Sequence, residues 1–180
     1  LLILAIVLVH FAGTATAVPM IGFTLLVILI CLPLFRMALN REPPFVPTST
    51  KNLNDMILLS EIQKGDVVYD LGCGDGRIVR AAANHGGIAT GYELSVPTFV
   101  LAKILSRKTP NANIVYKDFW KADYKNADII FCFLLPVTME KFKKIIWPQL
   151  KPGARVVSHA FKLPDVQPKK QIRDLMVYVK

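Results

Sequence analysis

Apolar residues follow two different patterns along this chain of 180 residues. Residues 1–35 contain no Asp, Glu, Lys or Arg and are largely apolar, with a break at 13–19. From about residue 50 onward, short apolar runs alternate with stretches whose apolar residues recur at helical spacing. Short strands that alternate with amphipathic helices predict a Rossmann-like α/β fold, in which a mostly parallel sheet has helices on both faces.

The second pattern also predicts the order of the elements. Strands are predicted at residues 67–71, 88–93, 113–116, 127–133, 154–158 and 175–179. Helices are predicted around 53–57, at 77–85, from about Ser95, and at 138–147. The helix from Ser95 has Pro97 in its first turn, and its predicted buried stripe consists of Leu101, Ile104 and Leu105. The last helix is expected to bury Phe142, Ile145 and Ile146.

The uncharged N-terminal stretch predicts a membrane anchor at residues 1–39, with one or two transmembrane segments. A helix needs about 20 apolar residues to span a bilayer, and the second apolar run has that length if it extends from Val18 to Met37 or Leu39. The first run is shorter. The break between the two runs at 13–19 fits the turn of a helical hairpin. A signal peptide also fits, because Ala15-Thr16-Ala17 resembles a cleavage site. A buried core helix is the remaining alternative for the second run.

Basic residues after the second apolar run set the expected orientation. Arg36, Arg41 and Lys51 follow it, and such residues favour the cytoplasmic side of a membrane. We therefore expect the lipid bilayer to be a partner of residues 1–39 and the main domain to lie on the cytoplasmic or matrix side. Consecutive prolines at 43–44 indicate a linker at 40–50, followed by a domain at 51–180.

Composition excludes several classes of protein. Hydrophobic residues make up 53% of the chain, and the mean hydropathy is +0.41. About a quarter of residues 36–180 are charged, as in a globular domain, which excludes a disordered protein, a disulfide scaffold and a polytopic transporter. The three cysteines lack metal-ligand spacing, so no metal site is expected. The net charge of +9 is not accompanied by a basic-aromatic motif, so no nucleic-acid partner is expected.

The most informative motif is a glycine-rich turn, Asp70-Leu71-Gly72-Cys73-Gly74-Asp75-Gly76-Arg77, between the first predicted strand and a helix. Open α/β sheets bind ligands at this position. The dinucleotide fingerprint requires glycine where Arg77 stands, and Asp70 and Asp75 would repel a pyrophosphate. S-adenosylmethionine has no phosphate but carries an ammonium, a sulfonium and a carboxylate. Acidic side chains suit its cationic end, and free N–H groups at the helix start suit its carboxylate. A tight turn without a ligand is the alternative.

Acidic residues also follow the next two predicted strands. Glu93 ends the second strand, near the offset from Asp70 at which an acidic residue meets ribose hydroxyls. Asp118 follows the third strand, where its carboxylate is suited to accept from an adenine amino group. Phe119 and Trp120 offer aromatic faces for stacking, with ordinary packing as the alternative. Matches at three successive strand ends predict a site for S-adenosylmethionine.

Together these residues resemble class I S-adenosylmethionine-dependent methyltransferases. More narrowly, residues 45–168 are similar to the membrane-anchored lysine methyltransferases that modify ATP synthase c-subunit and adenine nucleotide translocase. The matching stretches are Phe45-Val46-Pro47-Thr48, residues 70–79, Gly91-Tyr92-Glu93-Leu94, Asp118-Phe119-Trp120-Lys121 and Gly153-Ala154-Arg155-Val156-Val157. Cys73 stands where that family commonly has Ser, and the segment 133–136 differs from the family's segment after the fourth strand.

The resemblance implies methyl transfer to a lysine of a membrane-associated protein. It assigns the cofactor to Asp70, Gly72, Cys73, Gly74, Gly76, Glu93, Asp118 and Phe119, with Pro47 and Thr48 as a lid over its methionine end. Phe133 and Pro136 are candidates for the acceptor slot, no general base is identified, and His159 is expected to be structural. The alternatives are a small lipophilic acceptor, such as a lipid or quinone, and a cofactor-binding membrane module without catalysis.

Overall fold

The computed structural model describes Phe23, Thr24, Val27, Ile28 and Cys31 and all of residues 47–180. The chain divides into two units, Leu1–Phe45 and Val46–Lys180. The five described residues of the first unit are helical, and the rest of the predicted anchor and residues 40–46 of the linker lie outside the described residues. Within the described part of the chain, no helix has the length and apolarity required to cross a bilayer.

A seven-stranded sheet forms the centre of the second unit. Its strands are β1 (Val67–Leu71), β2 (Ile88–Glu93), β3 (Ala112–Tyr116), β4 (Ile129–Cys132), β5 (Arg155–His159), β6 (Lys170–Ile172) and β7 (Leu175–Val179). The order across the sheet is β3-β2-β1-β4-β5-β7-β6. The first five strands are parallel, whereas β7 pairs antiparallel with β5 and with β6. The predicted mostly parallel sheet is confirmed.

Within residues 47–180, four α-helices precede or connect the strands. They are α1 (Thr50–Ser60), α2 (Arg77–Asn84), α3 (Val96–Ser106) and α4 (Pro136–Ile145), with short 3-10 helices at Phe119–Lys121 and Trp147–Gln149. α1 begins where the Ser49 side chain accepts a hydrogen bond from the Asn52 N–H group, a standard N-cap. α3 begins after Ser95 with a proline in its first turn, as the sequence predicts.

Two apolar clusters cover the two faces of the sheet. One contains Met56 of α1, Val79 of α2 and Ala102 of α3, together with alternate residues of the strands such as Val68. The other contains Phe142 of α4 and alternate strand residues facing the opposite way. Because both faces are buried, strands such as Ile129–Cys132 are apolar throughout. Helices therefore lie on both faces, as predicted.

Three details differ from the sequence-based expectation. The predicted buried stripe of α3 is wrong, because Leu101, Ile104 and Leu105 are about half exposed and the helix buries Ala102 and Ser106 instead. In α4, Ile145 is also partly exposed. The strand β6, whose residues are all exposed, gave no apolar signal and was not predicted.

Close packing explains the inverted burial of α3. A Cβ atom on Gly76 in the glycine-rich turn would lie 3.1 Å from the Ser106 Oγ atom. Only small side chains fit between α3 and this turn, so the larger apolar side chains of the helix are left on its outer face.

Candidate active site

The glycine-rich turn joins the end of β1 to the start of α2 and lies against β2. Gly76 precedes α2 with a φ angle of 76°, a left-handed conformation that glycine adopts without strain. Gly91 lies in β2 beneath the turn, where an added Cβ atom would be 2.6 Å from the Cys73 Cβ and Val79 Cγ2 atoms. The turn can approach β2 this closely because position 91 has no side chain.

Hydrogen bonds from the backbone fix the turn to the end of β2. The N–H groups of Gly72 and Cys73 donate to the Tyr92 carbonyl oxygen at 3.0 and 2.9 Å. The Gly74 N–H group donates to Glu93 Oε2 at 3.0 Å. Glu93 Oε1 accepts from the N–H groups of Leu94 and Ser95 at 2.9 and 2.7 Å. Glu93 is therefore held rigidly at the carboxyl end of its strand, directly beside the turn.

Asp70 is a buried carboxylic acid at the centre of the site. Only 4% of its surface is exposed, and its Oδ2 atom has no hydrogen-bond partner among the described residues. Burial, with smaller contributions from the negative charges of Glu93 and Asp75, raises the pKa of Asp70 to about 8. An unpartnered buried carboxyl is costly, so this group is suited to a cationic ligand.

Asp75, the second acid of the turn, already has a cationic partner. Arg77 Nη2 lies 2.8 Å from Asp75 Oδ2, and the Arg77 Nε and backbone N–H groups also donate to this carboxylate. Burial acts to raise the pKa of Asp75, but the hydrogen bonds and charge of Arg77 outweigh it and lower the pKa. The turn therefore balances one of its two acids internally and leaves Asp70 for a ligand.

Arg77 also attaches the segment before α1 to the turn. Its Nη1 atom donates to the Thr48 carbonyl oxygen at 2.6 Å. Thr48 is buried and the neighbouring Pro47 is exposed. The predicted lid residues thus lie beside the glycine-rich turn, although they are far from it in sequence. In the sequence, Arg77 stood out only as a departure from the dinucleotide fingerprint, and its bridging contact became visible only in the fold.

Asp118 lies at the end of β3 and begins a short 3-10 helix. Its Oδ1 atom accepts from the Trp120 N–H group at 3.0 Å. The rings of Phe119 and Trp120 pack together with centroids 4.6 Å apart, and the Lys141 Nζ atom lies 4.2 Å from the centre of a Trp120 ring. Both rings are half-buried. They have packing partners within the domain, and they also retain exposed area beside Asp118.

The segment after β4 places an aromatic ring beside a histidine. Phe133 is 37% exposed, and its ring centroid lies 4.4 Å from that of His159 at the end of β5. His159 Nε2 lies 2.8 Å from Asp174 Oδ2 and 3.0 Å from Asn52 Nδ2. Pro136 occupies the first turn of α4, where proline favours helix initiation. Asn52 and Asp174 were not recognised from the sequence, because they join His159 only through the fold.

The ends of β1, β2 and β3 together form one acidic edge that fits S-adenosylmethionine. Asp70 and Glu93 lie in the last two residues of β1 and β2, and Asp118 lies two residues after the adjacent strand β3; carboxyl ends of parallel strands share one edge of a sheet. The carboxyl of Asp70 lacks a cationic partner within residues 47–180, which suits the ammonium group of this cofactor. The glycine-rich turn beside it provides backbone without side chains that would obstruct the ligand.

Comparison with known proteins gives consistent matches. The family model described as the ANTKMT methyltransferase domain matches residues 70–170. A protein-lysine N-methyltransferase of Saccharolobus islandicus (strain REY15A) is 38% identical over 135 residues, which are 72% of this chain and 84% of that protein. The adenine nucleotide translocase lysine N-methyltransferase of Mus musculus is 36% identical over 137 residues, 74% of this chain and 59% of that protein.

Two further matches extend the comparison. The ATP synthase c-subunit lysine N-methyltransferase of Homo sapiens is 31% identical over 128 residues, 69% of this chain and 54% of that protein. The chain thus spans little more than half the length of the mammalian relatives. A crystal structure described as an RNA methyltransferase from Salinibacter ruber in complex with S-adenosyl-L-homocysteine superposes with a TM-score of 0.67 at 33% identity. The superposed region covers 74% of this chain and 92% of the Salinibacter ruber chain.

Proposed function

The chain belongs to the ANTKMT methyltransferase family, and from that membership we propose that it methylates a lysine side chain of a membrane-associated protein. The resemblance inferred from the motifs is confirmed, and so are the class I methyltransferase fold and the use of S-adenosylmethionine as cofactor. The membrane-associated acceptor is supported by analogy, because two relatives are named for adenine nucleotide translocase and the ATP synthase c-subunit.

The acidic edge of the sheet is the observation that carries the assignment of the cofactor site. Asp70 is a buried acid whose Oδ2 atom has no hydrogen-bond partner in the described part of the chain, and it is suited to bind the ammonium group. Glu93, held by three backbone N–H groups, is placed to accept from ribose hydroxyls through its remaining lone pairs. In this proposal, Asp118 and Phe119 bind the adenine, and Pro47 and Thr48 close the site. When bound, the cofactor supplies a methyl group activated by its sulfonium charge.

The acceptor slot is assigned to the segment after β4. Phe133 presents a partly exposed ring next to His159 and Phe161, and this aromatic cluster offers an apolar lining for the acceptor slot. A lysine ammonium must lose its proton before it can act as a nucleophile, and an apolar slot lowers its pKa. The domain's task is then to align the neutral amine and keep solvent away.

We also propose that residues 1–39 anchor the chain in a membrane, with the catalytic domain on the cytoplasmic or matrix side. The support is the absence of charge in residues 1–35 and the basic residues that follow. In this arrangement, the anchor confines the enzyme to the bilayer that also holds its acceptor. Confinement to one surface raises the effective concentration of the acceptor without any additional contact.

The test uses tritiated S-adenosylmethionine and the full chain, with membranes from cells that lack the protein. We expect label in a membrane-protein band, and amino-acid analysis should recover it as methyl-lysine. Asp70→Asn is the matched control, because it removes the unpartnered carboxyl while keeping the shape of the side chain. Label in the organic extract would instead favour a small lipophilic acceptor. Cofactor binding without label in any fraction would favour a module without catalysis.

RNA is a second candidate acceptor, for one specific reason. The Salinibacter ruber structure, which is 33% identical to this chain and matched over 92% of its own length, is described as an RNA methyltransferase. The positive net charge of +9 is compatible with a polyanion. Nuclease treatment of the same labelled mixture separates the two possibilities, since label in RNA is lost and label in a protein band remains.

A further inference from the structure

The outward side of α3 carries most of the larger apolar residues of that helix, whereas Phe99 is half-buried against the core. Its exposed members, which we call the α3 outer face, are 46–54% exposed: Val96, Val100, Leu101, Ile104 and Leu105. The inward side holds the small residues Ala102 and Ser106. A helix on a water-facing surface normally has polar residues outward, so this distribution indicates that another apolar surface covers the α3 outer face.

The five residues form one continuous strip. Val96, Val100 and Ile104 recur every four residues, and Leu101 and Leu105 follow the same spacing one position later. Residues four apart are neighbours on a helix surface, so the two rows lie side by side. Contiguous apolar surface of this kind marks a contact with a protein or a membrane, whereas isolated exposed apolar residues do not.

The charges around the strip favour a negatively charged partner. Residues 94–117 contain four basic residues and no Asp or Glu; the basic residues are Lys103, Arg107, Lys108 and Lys117. Three of them lie on or directly after α3. A second copy of the chain packed symmetrically on this strip would bring the same positive charges together, which is unfavourable. A surface that is apolar inside and negatively charged outside complements both features.

We propose that the α3 outer face binds the surface of an anionic lipid bilayer, with the helix lying along the interface. Helices of this type insert an apolar face to the boundary between headgroups and acyl chains. Long basic side chains then extend their charged ends to the phosphate groups while their stems remain on apolar surface. This contact goes beyond the proposed function, because it belongs to the folded domain and depends neither on the anchor nor on the acceptor.

The experiment places nitroxide labels on the full chain reconstituted in phosphatidylglycerol vesicles. Cys31→Ser removes the exposed thiol, and the thiols of Cys73 and Cys132 are buried. Val100→Cys carries the label on the α3 outer face. Leu58→Cys, a 75% exposed apolar position of α1, is the matched control. Collisions with oxygen report apolar surroundings and collisions with a water-soluble nickel chelate report aqueous ones. Binding of S-adenosylmethionine verifies that each variant is folded.

We expect the label at position 100 to favour oxygen and the label at position 58 to favour the nickel chelate. The double substitution Arg107→Gln/Lys108→Gln should lower the equilibrium constant for binding of α3 to lipid about twenty-five-fold, since each basic residue near an anionic surface contributes about five-fold. Equal exposure of positions 100 and 58 to the nickel chelate would overturn the proposal. Shielding of the label at position 100 from the nickel chelate that persists in lipid-free detergent and rises with protein concentration would also overturn the proposal. Such a result would identify a second copy of the chain as the partner. A third label, on Ile28→Cys, reports the anchor separately.

Discussion

The substitution Asp70→Asn tests the electrostatics of the site while preserving its shape. Burial first, and then the negative charges of Glu93 and Asp75, raises the pKa of Asp70 from 3.8 to about 8 in the folded protein. The unfolded chain has the ordinary pKa, so the folded state binds this proton more tightly. The contribution of Asp70 to stability is therefore greatest below pH 4 and declines as pH rises toward 8, where the folded carboxyl ionises as well.

The magnitude follows from the interval between the two pKa values. Each pH unit in that interval changes the free energy of unfolding by about 1.4 kcal/mol. Wild type should therefore lose about 4 kcal/mol between pH 4 and pH 7 from this group, while the Asn variant does not. A buried amide without partners costs about 1–3 kcal/mol at every pH. We expect Asp70→Asn to be about 2 kcal/mol more stable than wild type at pH 7 and less stable at pH 4.

Urea unfolding of the full chain in mild detergent, followed by tryptophan fluorescence from pH 4 to pH 8, measures this difference. Asp123→Asn is the control, because Asp123 is exposed and its Oδ2 atom lies 3.9 Å from the Lys125 Nζ atom at the surface. Such surface ion pairs contribute at most about 1 kcal/mol to the free energy of unfolding. S-adenosylmethionine should stabilise wild type and leave Asp70→Asn nearly unchanged. A stability difference between Asp70→Asn and wild type that stays constant with pH would refute the raised pKa.

Three other substitutions test the remaining parts of the site. Gly91→Ala should lower the free energy of unfolding by about 1–3 kcal/mol through overpacking beneath the turn. Urea unfolding measures this effect, with Thr90→Ala as a control expected to have a smaller one. Equal effects of the two substitutions would contradict the close approach of the turn to β2. Arg77→Lys should weaken S-adenosylmethionine binding about tenfold in calorimetry, because lysine cannot make the paired contacts of a guanidinium. Unchanged affinity would show that the attachment of the lid segment by Arg77 does not contribute to cofactor binding. Phe133→Ala should reduce turnover more than cofactor affinity in methyl-transfer assays, and equal losses would argue against its place in the acceptor slot.

Several elements of the fold were predictable from local pattern. The strands at 67–71, 88–93 and 175–179 were placed at their observed bounds, because buried strands produce short apolar runs with distinct ends. The glycine-rich turn and the acids at successive strand ends were also visible, since a parallel sheet brings consecutive strand ends to one edge. Glu93 and Asp118 are therefore informative even without a structure.

The errors arose where burial depends on a distant neighbour. The pattern of α3 correctly indicated a helix, but its apolar residues occupy both sides, and periodicity does not say which side faces the sheet. That choice is made by the glycine-rich turn, which admits only the small side chain of Ser106 against Gly76. The edge strand β6 was not predicted for a related reason. Its backbone pairs with β7, and this pairing does not require that β6 contain buried apolar residues.

The amino-acid sequence alone determined the class of fold, the family and the cofactor, because these depend on glycines, acids and apolar runs at fixed spacings. Tertiary structure decided how the charges are used. It paired Asp75 with Arg77 and left the buried Oδ2 atom of Asp70 without a hydrogen-bond partner among residues 47–180. It also turned the apolar side of α3 outward. Each of these results depends on which groups meet across the fold, and the energy of a charge or an apolar surface is set by those neighbours rather than by its position in the chain.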